Sequence, residues 1–289
     1  MKIPFLILTP ACLVLGVATA VFSGAALNPY HFALVFIGAM CAHISVNALN
    51  EYQDFKSGLD LITNPTPFSG GSGALKAQPA KANYALITGV ASILITVAVG
   101  LYFVYVWGFW LLPLGILGIL IVISYTEYCT RSPLLCLIVP GLGFGPLMVM
   151  GTDFALTGSY SWVAFVVSLA PFFLVSDLLL LNQFPDVEAD ATVGRWHLPI
   201  VLGRKACVRL YAGILIASYI PILAGYALGM LPAWSLLGLG TVFLAGATIR
   251  GVVRYAEEIP KLIPYMAKNV IIDIATPVLL AVGLFLHKG

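Results

Sequence analysis

Residues 160–183 read YSWVAFVVSLAPFFLVSDLLLLNQ and continue into Phe184-Pro185-Asp186-Val187-Glu188-Ala189-Asp190. The first part carries a single charged side chain, Asp177. About 20 apolar residues cross the hydrocarbon core of a bilayer as a helix, so this stretch predicts a membrane span. The second part differs in kind. Asn182, Asp186 and Asp190 stand at i, i+4 and i+8, which stacks them on one face of a continuing helix, with Pro185 as its bend. A span that runs out into acids points to an all-α membrane protein with a polar site at one membrane face.

The rest of the chain agrees with this class. Of 289 residues, 61% are hydrophobic and 9% charged, and the mean hydropathy is +1.02. A soluble domain carries about 25% charged residues, so that class is excluded. Fourteen Lys and Arg against twelve Asp and Glu leave +2, too little for a nucleic-acid partner. Five cysteines without a C-x-x-C pair suggest packing, with no zinc site or disulfide framework. No H-x-x-x-H occurs, so a histidine metal site is not expected.

Nine segments have the length and apolarity of spans: 5–26, 30–53, 83–106, 108–125, 134–152, 160–183, 206–229, 232–253 and 264–286. Met1-Lys2 and the apolar run after it are read as the start of the first span and not as a signal peptide. The expectation is one transmembrane helical domain over 1–289, with nine helices around a central cavity. Alternating the connections puts thirteen of the fourteen Lys and Arg on one side and Lys288 alone on the other. By the positive-inside rule the crowded side is cytoplasmic, and Trp107, Trp110, Trp162 and Trp234 mark the opposite ends of the spans. The long polar connections 54–82 and 184–205 both fall on the crowded side. Loops of that length in a compact protein usually carry function.

The second span ends as Asn50-Glu51-Tyr52-Gln53-Asp54, followed by Lys56-Ser57-Gly58-Leu59-Asp60. It repeats the N-x-x-x-D of Asn182 and Asp186 four spans earlier, hence at the same face. Asp54, Asp60, Asp186, Glu188 and Asp190 then share one mouth if the two helices pack together. Such acids repel one another and call for a cation. Mg²⁺ suits an open carboxylate cluster, because it takes one or two carboxylates and completes its shell with water and phosphate oxygens. The predicted metal ligands are Asp54, Asp186, Asp190 and Asp60, the first three also being the predicted catalytic residues. The plainer alternative is a pair of acidic caps that end two helices.

These motifs resemble the UbiA superfamily of intramembrane prenyltransferases, whose two Asp-rich motifs end the second and sixth of nine helices. The resemblance covers nearly the whole chain. N-E-Y-x-D-x-x-x-G-x-D at 50–60, P-x-P-F-S-G-G-S at 65–72, G-L-G-F-G-P-L-M-V-M-G-T at 141–152 and P-D-V-E-A-D at 185–190 are most similar to the branch acting on 1,4-dihydroxy-2-naphthoate toward menaquinone. Glu51 stands where that branch usually has Asp, and Asp60 follows Asp54 by six residues where other branches use four. The resemblance implies Mg²⁺-dependent transfer of a polyprenyl group from its diphosphate to an aromatic acceptor in the cell membrane, with the site on the cytoplasmic side. It also implies substrate contacts from Asn50, Asn182, Tyr125 and Arg131.

Ser69-Gly70-Gly71-Ser72-Gly73, followed by Lys76, reads either as a phosphate-contacting lid or as a plain linker. Asp177 and Asp273 lie within spans, where acids serve function or bind helices together. Two alternatives stay open: transfer to another acceptor, and a cation-coupled secondary transporter, since acids at broken helices also bind coupling ions.

Overall fold

Helix starts follow local chemistry. Asn28 caps one helix, its Oδ1 accepting from the N–H groups of Tyr30 (2.9 Å) and His31 (3.3 Å), with Pro29 in the first turn. Ser161 caps another, its Oγ accepting from Ala164 N–H at 3.1 Å. The computed structural model describes residues 3–287; Met1, Lys2, Lys288 and Gly289 lie outside them. No strand occurs among the described residues.

The helices are α1 (Phe5–Phe22), α2 (Pro29–Lys56), α3 (Pro79–Trp107), α4 (Phe109–Ser124), α5 (Pro133–Thr157), α6 (Trp162–Asn182), α7 (Arg204–Ala227), α8 (Ala233–Tyr255) and α9 (Ile259–Leu286). Eight of them are long and apolar enough to cross a membrane, and α4 is a shorter apolar helix where the fourth span is expected. Several ends shift by up to four residues, and two depart further from the sequence reading. α9 starts at Ile259, because Pro260 fits a first turn and the carbonyl that Pro264 leaves unmatched belongs to it. α5 runs past Thr152 to Thr157, with the Asp153 side chain turned inward and fully buried.

Asymmetry in packing makes the site. α1, α6, α7, α8 and α9 enclose an apolar core that includes Leu15, Leu174, Leu181, Leu215 and Leu280. Neighbours there are tied by Tyr211 Oη donating to Asn269 Oδ1 at 2.7 Å and by Thr241 and Thr276 hydroxyls 2.7 Å apart. Asp177 and Asp273 lie in this half, buried and away from the cavity wall. In the other half, α2 and α3 are joined by Ser45 donating to Gly89 O (2.8 Å) and Thr96 to Gly38 O (3.0 Å). α2 to α5, with the start of α1 and the end of α6, surround a cavity. Leu94, Leu117 and Ile123 are exposed on this half outside the cavity, as lipid-facing side chains are.

Small residues let α5 and α6 approach closely. Gly145 faces the backbone of Ser168 and Phe172 so tightly that a Cβ there would sit 2.5 Å from Ser168 O, and Gly141 is as close to Phe172. Pro140 and Pro146 interrupt the hydrogen-bond ladder, and 143–150 adopt a π-helix. Beyond Asn182 the expected continuous helix is broken. Residues 183–186 form a turn around Pro185, whose missing N–H ends the ladder, and a new helix runs Val187–Thr192.

Candidate active site

Two short reversals bring the acids together. After α2, Gly58 at φ +80° turns the chain into the short helix Leu59–Ile62, a left-handed conformation that favours glycine. Asp60 is thereby buried at the cavity mouth, and neither of its carboxylate oxygens has a hydrogen-bond partner. Burial, with Asp54 and Glu51 nearby, pushes its pKa up to about 6.

The loop that follows binds both motifs. Thr66 and Ser69 hydroxyls lie 2.8 Å apart and Ser69 N–H donates to Thr66 Oγ1 at 2.9 Å, which closes a tight turn. Gly70, at φ +70°, then donates its N–H to Asp186 Oδ2 at 2.7 Å. Gly71 lies against the Asp60 carboxyl with no room for a Cβ. Ser72 Oγ donates to Glu51. Residues 66–72 are therefore a strap across the mouth, and the linker alternative does not describe them.

Arg195 joins the two motifs. Its guanidinium pairs with Asp54 and, at 3.0 Å, with Asp190 Oδ1, while His197 Nε2 stands 2.9 Å from Asp190 Oδ2. Trp196 N–H donates to Thr130 O at 2.9 Å and holds this loop against the connection that leads into α5. Burial opposes the charge on Arg195, but the carboxylates of Asp54 and Asp190 outweigh it and raise its pKa. Glu188 points elsewhere. It is exposed and hydrogen-bonds Arg204 at 2.7 Å, which lowers its pKa.

The cavity holds about 770 Å³. Asn50, Asp54, Asp60, Tyr125, Asn182, Asp186 and Asp190 all line it, as do Glu51, Gln183, Arg195 and His197. Its depth is apolar, walled by Val35, Val99, Phe103, Leu114, Phe144 and Met148 among others. Two expected substrate contacts are not brought there. Lys76 is exposed and donates to Leu61 O at 2.9 Å, and Arg131 is exposed at the start of α5. Arg195, His197 and Glu51 were not singled out as site residues from sequence. For Arg195 a signal existed, a basic residue five positions after Asp190.

Whether a divalent cation fits is a question of donor chemistry. Five carboxylates line the cavity, Glu51, Asp54, Asp60, Asp186 and Asp190, against one Arg and no Lys among the described residues. Asp60 is buried with two unpartnered oxygens, and Asn182 Oδ1 is also without a partner. Among the described residues, no three acidic, His or Cys side chains stand together as a ready-made metal site. This donor set fits a cation held by few carboxylates and completed by water and ligand oxygens, the preference of Mg²⁺.

Fold and site thus define a multi-pass helical membrane protein with an amphipathic chamber, acidic at its mouth and apolar within. Residues 8–267 match the model of the UbiA prenyltransferase family, and the chain belongs to that family. Among curated relatives, 1,4-dihydroxy-2-naphthoate octaprenyltransferase of Bacillus subtilis is 28% identical over 209 residues, covering 70% of this chain and 65% of that enzyme. The matched part is thus just under two thirds of that relative's length. Among solved structures, an apo UbiA homolog from Aeropyrum pernix K1 superposes with a TM-score of 0.71 at 17% identity, covering 99% of this chain and 98% of that one. A UbiA homolog from Archaeoglobus fulgidus bound to DMAPP and Mg²⁺ gives 0.54 at 14% identity, covering 96% and 98%. At these identities the structures establish the fold.

Proposed function

We propose that this protein is a Mg²⁺-dependent intramembrane prenyltransferase that moves a polyprenyl group from its diphosphate to an aromatic acceptor, 1,4-dihydroxy-2-naphthoate. One observation carries the reading: the acids of both N-x-x-x-D motifs stand at the mouth of a chamber whose interior is apolar. A prenyl diphosphate has that same division between an anionic head and a hydrocarbon tail. The Archaeoglobus homolog, solved with DMAPP and Mg²⁺ bound, supports the ligand class, and the Bacillus relative's name supports the acceptor.

Asp54, Asp186 and Asp190, with Asp60, would hold Mg²⁺ together with diphosphate oxygens. When bound, the metal supplies Lewis-acid stabilisation of the departing diphosphate. Arg195, already at the mouth, offers its guanidinium N–H groups to phosphate oxygens, the role expected of Arg131 and Lys76. Asn50 and Asn182 orient the head through their amides. Within the chamber, Phe144 and Tyr125 faces stabilise positive charge at the allylic carbon, and the apolar wall keeps water from capturing it. The acceptor ring then attacks that carbon and loses its carboxylate as CO₂. The excess of Lys and Arg on this side supports a cytoplasmic mouth.

Binding of labelled geranylgeranyl diphosphate to purified protein tests the reading. Binding that needs both Mg²⁺ and Asp186 supports it, and folded wild type that binds none rejects it. Release of labelled CO₂ from carboxyl-labelled naphthoate then tests the acceptor.

A further inference from the structure

A second cavity lies at the opposite end of the bundle from the acidic mouth. α6 runs from Trp162 to Asn182 at the mouth, so the connection from α5 to α6 lies at the far end. There, Asp153 in the last turns of α5 is fully buried and lines a pocket of about 300 Å³ with Ser23, Thr157, Ser159 and Ser161. Thr19 donates its hydroxyl to Asp153 Oδ1 at 2.7 Å, and Oδ2 has no partner.

This carboxylate is short of positive charge. A hydroxyl has one proton to donate, and the Thr19 hydroxyl also lies 2.8 Å from Gly16 O. No Lys, Arg or His among the described residues lines the pocket. α1 ends at Phe22 and α5 at Thr157, so the negative ends of two helix dipoles meet at the same place. The start of α6, of opposite sign, is already capped by Ser161. The polar side chains that line the pocket all present oxygen. A buried carboxylate in such surroundings is neutralised either by a proton or by a bound cation, and the all-oxygen lining suits the cation.

We propose that Asp153 anchors a binding site for a monovalent metal cation, sodium, at the face of the protein opposite the acidic mouth. One carboxylate neutralises one positive charge. The remaining donors are hydroxyls and carbonyls, whereas divalent calcium draws on several carboxylates. The site is separate from the prenyl chamber and does not depend on the function proposed for it.

The experiment uses purified full-length protein at constant ionic strength, in sodium chloride or choline chloride. Sodium should raise the melting temperature saturably, and Asp153→Asn should remove that rise while Asp186→Asn keeps it. Retention of ²²Na by the Asp186→Asn protein should weaken about tenfold or more when Asp153→Asn is added. Identical melting in the two salts, or a sodium effect that survives Asp153→Asn, overturns the proposal; the carboxyl then carries a proton instead. If Asp153→Asn does not fold, hydrogen exchange of wild type decides. Added protection of 22–26 and 156–161 in sodium over choline supports the site, and equal exchange rejects it.

Discussion

Gly70 donates its backbone N–H to the Asp186 carboxylate at 2.7 Å, 116 positions apart in the chain. The glycine-rich strap after the first acidic motif is thus bonded to the second. Replacing Gly70 by Ala forces a left-handed φ on a residue with a Cβ, at about 1–2 kcal/mol, and sets that Cβ 2.8 Å from Thr63 Cγ2. Affinity for geranylgeranyl diphosphate with Mg²⁺ should fall about tenfold, and the melting temperature should drop modestly, because Phe68 of the strap packs against the helical core. Equilibrium binding beside thermal unfolding checks both.

Arg195 neutralises Asp54 and Asp190 at once. Arg195→Gln leaves two buried acids facing each other and should lower stability. Adding Asp190→Asn should recover part of the loss, with a coupling of about 1–3 kcal/mol between the two changes. A denaturation double-mutant cycle measures it, and additive effects would show that the pair contributes nothing.

Gly145 and Gly143 make an internal control on one helix. A Cβ at Gly145 meets Ser168 O at 2.5 Å and Phe172 Cβ at 2.8 Å, whereas one at Gly143 meets nothing within 4 Å. Gly145→Ala should cost about 1–3 kcal/mol by pushing α5 from α6, and displace Asn182 from the mouth. Gly143→Ala should be neutral. Melting temperatures of the two variants decide.

Asp60 ties stability to pH. Its folded pKa of about 6 stands above the ordinary carboxylate value, because burial disfavours the charge. The folded state therefore holds this proton more tightly than the unfolded one. Its contribution is fully present below about pH 4 and is lost as pH rises through about 6. In metal-free protein, Asp60→Asn should flatten that part of the stability profile, read as melting temperature between pH 4 and 7.

Much of the architecture was legible because hydrophobic length is a property of consecutive residues. The span 160–183 needed no partner to be recognised, and the structure ends it at Asn182. The Asp-rich motifs were legible as chemistry for a related reason: five acids at one membrane face need a counter-charge wherever they point. Individual contacts were less legible. Residues 182, 186 and 190 keep helical spacing on paper, but Pro185 breaks the helix between them, and they meet at the cavity only because the second helix turns back.

The sequence by itself determined which segments cross the bilayer, which face carries the acids, and that those acids call for a cation. Each of these follows from the cost of placing polar groups in hydrocarbon, which is incurred residue by residue. Tertiary structure alone decided that Arg195 and not Arg131 or Lys76 reaches the acids, that the strap seals onto Asp186, and that Asp153 is buried at the far end. Those outcomes depend on distances between segments that are remote in the chain, set by how closely Gly141 and Gly145 let α5 approach α6 and by where turns such as the one at Gly58 send the loops.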